Sequence, residues 1–69
     1  MNALVTLKNG NKELIENLKS IKRSDVYSDS ETIITEFDSF ALYGGTHIFI
    51  GNNIFTVEGS DIFSIRFAP

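Results

Sequence analysis

Sixty-nine residues make one small domain (residues 1–69) with no cysteine, a single histidine and one proline, at the C-terminus. A chain of this size buries only about 60% of the surface its unfolded form exposes, yet it has no disulfide framework or thiolate metal site to staple it, and one imidazole is a poor start for a zinc site. The formal charge of −3 is unevenly spread: residues 1–23 carry five basic and two acidic side chains, whereas residues 24–69 carry seven acidic ones against Arg66 alone. The two halves thus offer surfaces of opposite sign.

Ala3 to Lys8 alternates, with Ala3, Val5 and Leu7 on one face, and predicts an N-terminal strand. Asn9-Gly10 follows, a dipeptide whose two residues tolerate positive φ and favour a two-residue hairpin. Two readings of residues 11–23 compete. Leu14, Ile15, Leu18 and Ile21 form the stripe of an amphipathic helix, capped by Asn11 and ending in Lys22 and Arg23. The turn chemistry instead predicts a returning strand, with Lys8 opposite Asn11, Val5 opposite Leu14 and Leu4 opposite Ile15. Residues 24–31, SDVYSDSE, are short, polar and loop-forming.

The second half consists of apolar runs, Thr32–Tyr43, His47–Ile50, Asn53–Glu58 and Asp61–Phe67, separated by Gly44-Gly45, Gly51-Asn52 and Gly59-Ser60. Hairpin pairs at such spacing predict an antiparallel β-meander, with the first run broken or bulged at Asp38-Ser39. The expected fold class is mainly β, or β-rich α+β: a meander of four to five strands, an N-terminal strand and one short helix at 11–23 if the helical reading holds. Ile48-Phe49-Ile50, Ile54-Phe55 and Ile62-Phe63 are apolar on both faces, where a sheet with one wet face would alternate. A second copy is the simplest cover, so a homo-oligomer is expected. No stretch approaches the roughly 20 apolar residues that span a bilayer, and the N-terminus lacks the pattern of a signal peptide. With the absence of cysteine, this sets the expectation of a cytoplasmic protein without membrane partners.

No constellation carries catalytic chemistry. His47 has no nucleophile or orienting carboxylate beside it in sequence and reads as a strand-start or hairpin surface residue. Gly44-Gly45 leads into a strand, unlike a phosphate-binding loop, and reads as a hairpin turn. Asp25, Asp29 and Glu31 do not match a calcium-loop pattern. The expectation is a non-enzyme with no metal and no cofactor. Two charged sets remain. Asp25, Asp29, Glu31, Glu36 and Asp38 form an acidic run uninterrupted by any base, suited to a basic protein surface. Lys12, Lys19, Lys22 and Arg23 form a basic set, of which Lys12, Lys19 and Arg23 lie close together if the segment is helical. With Tyr27, Tyr43 or the phenylalanines as stacking platforms, it is the alternative nucleic-acid-binding site. A pI near 4.8 argues against that alternative. The phenylalanines read first as core.

The segments VTLKNG (Val5–Gly10), NLKSI (Asn17–Ile21) and DIFSI (Asp61–Ile65) resemble the strands and turns of very small phage- and prophage-encoded proteins. That group includes anti-CRISPR and other anti-defence inhibitors, many of them acidic proteins that occlude a nucleic-acid channel in the effector. The resemblance implies a binding protein directed at a host protein, such as a CRISPR nuclease. A structural or assembly protein that pairs through its edge strands is a further alternative.

Overall fold

Strand parity builds this molecule. In the computed structural model, which describes residues 1–24, 30–38, 40–42 and 44–69, the chain forms seven strands: β1 (Asn2–Leu7), β2 (Lys12–Ile15), β3 (Ser20–Ser24), β4 (Glu31–Ile34), β5 (Thr46–Ile50), β6 (Ile54–Glu58) and β7 (Ile62–Ala68). A single 3-10 turn, Gly59–Asp61, joins β6 to β7. The strands make two antiparallel sheets, one ordered β2-β1-β7 and the other β4-β3-β5-β6. Among the described residues no helix is long and apolar enough to cross a membrane.

The mainly β class is therefore correct, and the helical reading of residues 11–23 is not. That segment is β2, a corner and β3. The stripe that suggested a helix divides between the sheets: Ile15 closes one, Ile21 belongs to the other, and Leu18 fills the corner, all three buried. The hairpin register also differs by one residue from the two-residue turn. Leu4 pairs with Leu14 and Ala3 with Ile15. Lys8, Asn9 and Gly10 form a three-residue loop, closed by Leu7 N–H to the Asn11 carbonyl (2.8 Å) and Gly10 N–H to the Leu7 carbonyl (2.9 Å). Gly10 sits at φ 93°, the left-handed position such a loop requires. A one-residue slip exchanges the faces of a strand. Here it turns Ile15 completely inward and leaves Leu14 half exposed.

The second half is not a sequential meander. β5 and β6 form the expected hairpin across Gly51-Asn52, with Phe49 opposite Phe55. β4, however, pairs with β3 and not with β5, because β3 lies between them. Gly44-Gly45 is thus no hairpin turn but the end of a crossing segment, residues 35–45. Gly59-Ser60 is no hairpin turn either: the 3-10 turn carries the chain from the outer edge of one sheet to the other sheet, where β7 pairs with β1. The expected break in the Thr32–Tyr43 run occurs earlier than Asp38-Ser39, at the end of β4.

The core lies between the sheets. Ala3, Val5 and Ile15 point in from one side and Ile21 and Phe49 from the other, with Leu18 and Ile62 at the corners. Phe55, Val57, Ile34, Ile65 and Phe67 pack around them. The face of the larger sheet that carries Phe49 and Phe55 is covered by the chain's own second sheet. The outer face of the larger sheet keeps Ile33 and Ile54 in solvent.

The corner between β2 and β3 is braced by the β5–β6 turn. Asn17, at φ 53°, donates its N–H to Asn2 Oδ1 (3.1 Å) and its Nδ2 to Asn52 Oδ1 (3.2 Å), while Asn52 N–H donates to the Glu16 carbonyl (2.9 Å). Gly51 is required by this approach. A Cβ there would lie 2.6 Å from the Glu16 carbonyl oxygen and 2.8 Å from Ile15 Cγ2. Gly51→Ala is expected to lower stability by about 1–3 kcal/mol, read from the urea midpoint. An unchanged midpoint would show that the two turns do not touch as described.

Candidate functional site

The crossing segment has to travel from one side of β3 to the other, and its aromatic residues anchor it. Phe37 stacks on Phe67 of β7, with ring centroids 5.2 Å apart and planes at 18°. Phe40 meets Phe67 edge to face at 5.8 Å and His47 of β5 at 6.3 Å. Such pairs add about 0.5–1.5 kcal/mol each beyond the area they bury. A backbone turn, Phe40 N–H to the Phe37 carbonyl (3.2 Å), places both rings on the same side. Arg23 Nη1 donates to the Ala41 carbonyl (3.3 Å), tying the far part of the segment to β3.

The segment does not close over β7 completely. A groove of about 350 Å³ remains, lined by Phe37, Phe40 and Leu42 of the crossing segment and by Phe63, Ser64, Ile65 and Phe67 of β7. Phe63 reaches it through a β-bulge. Thr6 pairs with Ser64 but Leu7 with Ile62, so Phe63 is the extra residue of β7. The bulge reconciles two demands. Ile62 and Ile65 both face the interior although they lie three apart, which a regular strand forbids. The displaced Phe63 is 72% exposed, the most exposed of the large apolar side chains among the described residues. The spacing in DIFSIRF carried the signal for this bulge, an apolar pair of mismatched parity. Nothing in the sequence signalled that Phe37 and Phe40 would meet Phe67 across a crossover.

His47 is a correction to the surface reading: it is fully buried. Its Nδ1 lies 3.0 Å from the Gly45 carbonyl, which can only accept, so Nδ1 carries the hydrogen. That same carbonyl also accepts the Gly59 N–H (2.8 Å) and so links β5 to the 3-10 turn. Nε2 is buried and has no hydrogen-bond partner among the described residues. Burial holds the imidazole pKa below the usual histidine value. The Gly45 hydrogen bond opposes this, Arg23 adds to it, and Glu58 opposes it weakly. The ring is thus a neutral core group packed against Phe40, with no nucleophile among its hydrogen-bond partners.

The charged sets are distributed as follows. Of the acidic residues, Asp25 and Asp29 lie outside the described residues. Glu31, on the outer face of β4, forms an exposed ion pair with Lys22 (3.6 Å). Glu36 and Asp38 are exposed and adjoin Phe37 in the chain, and neither is among the residues that line the groove. The basic residues share no face. Lys12 is on β2, Lys19 in the corner, Lys22 on the outer face of β3, and Arg23 on the inner face of β3, paired with His47. With β2 and β3 in place of a helix, the alignment expected of Lys12, Lys19 and Arg23 does not form. Tyr27 and Tyr43 lie outside the described residues. No group of three or more potential metal ligands occurs among the described residues. A second cavity, about 520 Å³, lies beside the β1–β2 loop between Leu7, Lys8, Asn9, Val57 and Asp61.

The depressed pKa of His47 makes stability depend on pH in one direction. The unfolded chain binds a proton near pH 6.5 that the folded chain refuses, so stability is complete above that pH and falls as pH drops below it. The slope contributed by this one group reaches at most about 1.4 kcal/mol per pH unit. Urea unfolding at pH 7.5 and 5.5 is expected to show the loss in the native chain and a smaller loss in His47→Phe. An equal loss in both would place the ring in water.

No family model, curated protein or solved structure matches this chain, and its groove and buried histidine stand on their own geometry.

Proposed function

We propose that this chain is a non-catalytic protein-binding module, of the kind found among small phage-encoded inhibitors, which engages a host protein through an acidic surface bordering an aromatic groove. One observation supports the reading most: Glu36 and Asp38 are exposed and adjoin Phe37 in the chain, and Phe37 lines the groove together with Phe63. An exposed apolar centre rimmed by like charges is how protein interfaces are commonly built. The carboxylates would steer a basic surface toward the groove, and the rings would supply the contact area. A nuclease surface that holds nucleic acid with arginine and lysine is a partner of suitable charge.

The test is retention of host proteins from a bacterial lysate at about 50 mM and 200 mM salt, on the native chain and on a variant with Glu31→Lys, Glu36→Lys and Asp38→Lys. These side chains are all exposed, so the fold is expected to survive. The native chain should retain a protein whose binding weakens with salt, and the variant should lose at least about tenfold in affinity, or ~1.4 kcal/mol. Equal retention by both would contradict the proposal.

A further inference from the structure

We propose that Asn9-Gly10 is a site of spontaneous covalent modification, at which the Gly10 main-chain nitrogen displaces ammonia from the Asn9 side chain, and that the isoaspartate so formed undoes the register of β2. Both residues are exposed at the tip of the β1–β2 loop. Among the described residues, no atom lies within 4 Å of where a Cβ would sit on Gly10, and glycine brings no side chain of its own to screen its nitrogen. Every other asparagine precedes a residue with a side chain, from Ala3 after Asn2 to Ile54 after Asn53.

The loop holds the reacting groups together. Asn9 Oδ1 accepts the Asn11 N–H (2.9 Å), which folds the side-chain carbonyl over Gly10. Attack on Cγ turns that oxygen into an oxyanion, and a fixed N–H donor stabilises such charge. Gly10 N–H donates to the Leu7 carbonyl (2.9 Å) and must leave it before its nitrogen can attack. Exposed loop tips open locally at little cost in free energy. Lys8 N–H, bound to the Asp61 carbonyl (2.9 Å), anchors the start of the loop while the tip opens. The Gly10 nitrogen then loses its proton to solvent base and bonds to Asn9 Cγ. The Cγ–Nδ2 bond breaks, Nδ2 takes a proton and leaves as ammonia, and a cyclic imide remains. Water opens the imide. Hydrolysis at Cγ gives aspartate, and hydrolysis at the Asn9 main-chain carbonyl gives isoaspartate, whose main chain runs through Cβ and Cγ.

The two products differ in what they do to the hairpin. Aspartate keeps the loop length and still offers an oxygen to the Asn11 N–H. Isoaspartate adds a methylene to the main chain of the loop. The Leu7–Asn11 and Gly10–Leu7 hydrogen bonds close a loop of fixed length, and that length sets the parity that turns Ile15 inward. A longer loop cannot close both bonds. The tip thus sets a chemical lifetime on the fold.

The experiment incubates the full-length chain in mildly alkaline buffer and follows each asparagine by peptide mass mapping, with isoaspartate read from methyl acceptance by an isoaspartyl methyltransferase. Conversion is expected at Asn9 more than an order of magnitude faster than at any other asparagine, and Asn9→Gln should abolish it. The rate should be the same in Gly51→Ala, whose lowered stability raises the unfolded population. The isoaspartate form, isolated by chromatography, should unfold at a lower urea concentration than the native chain, whereas Asn9→Asp should keep the native midpoint. Conversion no faster at Asn9 than elsewhere, or a rate that rises in Gly51→Ala in proportion to the unfolded population, would overturn the site. An isoaspartate form with the native midpoint would overturn its coupling to β2.

Discussion

The pleat permits only alternate side chains to enter the space between the two sheets, and that restriction decides the rest of the structure. Seven hydrophobic residues and one histidine are buried among the described residues, an interior with little to spare. Each strand must enter it in the correct parity. The three-residue loop after β1 sets the parity of β2, the extra residue at Phe63 sets that of β7, and the corner at Leu18 passes the chain between the sheets. These are irregularities in backbone geometry, and each turns an apolar side chain inward that a regular path would leave in water.

The same restriction explains which parts of the fold the sequence makes legible. Strand identity follows from the Ile, Val and Phe content and from the turn pairs, so β1, β5, β6 and β7 are recognisable from residues alone. The helical stripe at Leu14, Ile15, Leu18 and Ile21 misleads because two strands joined by a corner, each with one inward residue near its junction, imitate a period of 3.6. Gly44-Gly45 and Gly59-Ser60 have hairpin composition but serve crossings. Turn propensity is local, whereas the choice of neighbouring strand depends on what else competes for the edge of β3 and β1. Continuous apolar runs suggested a missing partner for a single sheet. Dividing the strands between two sheets lets Phe49 and Phe55 face Ile15 and Val5 within one chain.

The candidate site follows from how the chain crosses β3. β4 and β5 flank that strand, so the chain between them must bridge it, and among the described residues of the bridge Phe37 and Phe40 make ring contacts with Phe67 and His47. Phe40 lies between His47 and Phe67 and joins the two sheets through a buried neutral imidazole. Among the described residues, β7 pairs with β1 alone. Phe63, turned outward so that Ile62 can turn inward, then completes an apolar groove. Of the residues suggested by composition, Glu36 and Asp38 are exposed neighbours of Phe37 in the chain, while the basic set is scattered by the strands that replace the helix.

The central claim is that hairpin register places Ile15 inside and Leu14 outside, with every later strand built on that choice. Comparing urea unfolding of Ile15→Ala and Leu14→Ala tests it most directly. The account expects a loss of about 2–5 kcal/mol, or outright unfolding, for Ile15→Ala and a loss below about 1 kcal/mol for Leu14→Ala. Equal losses, or the larger one at Leu14, would contradict it.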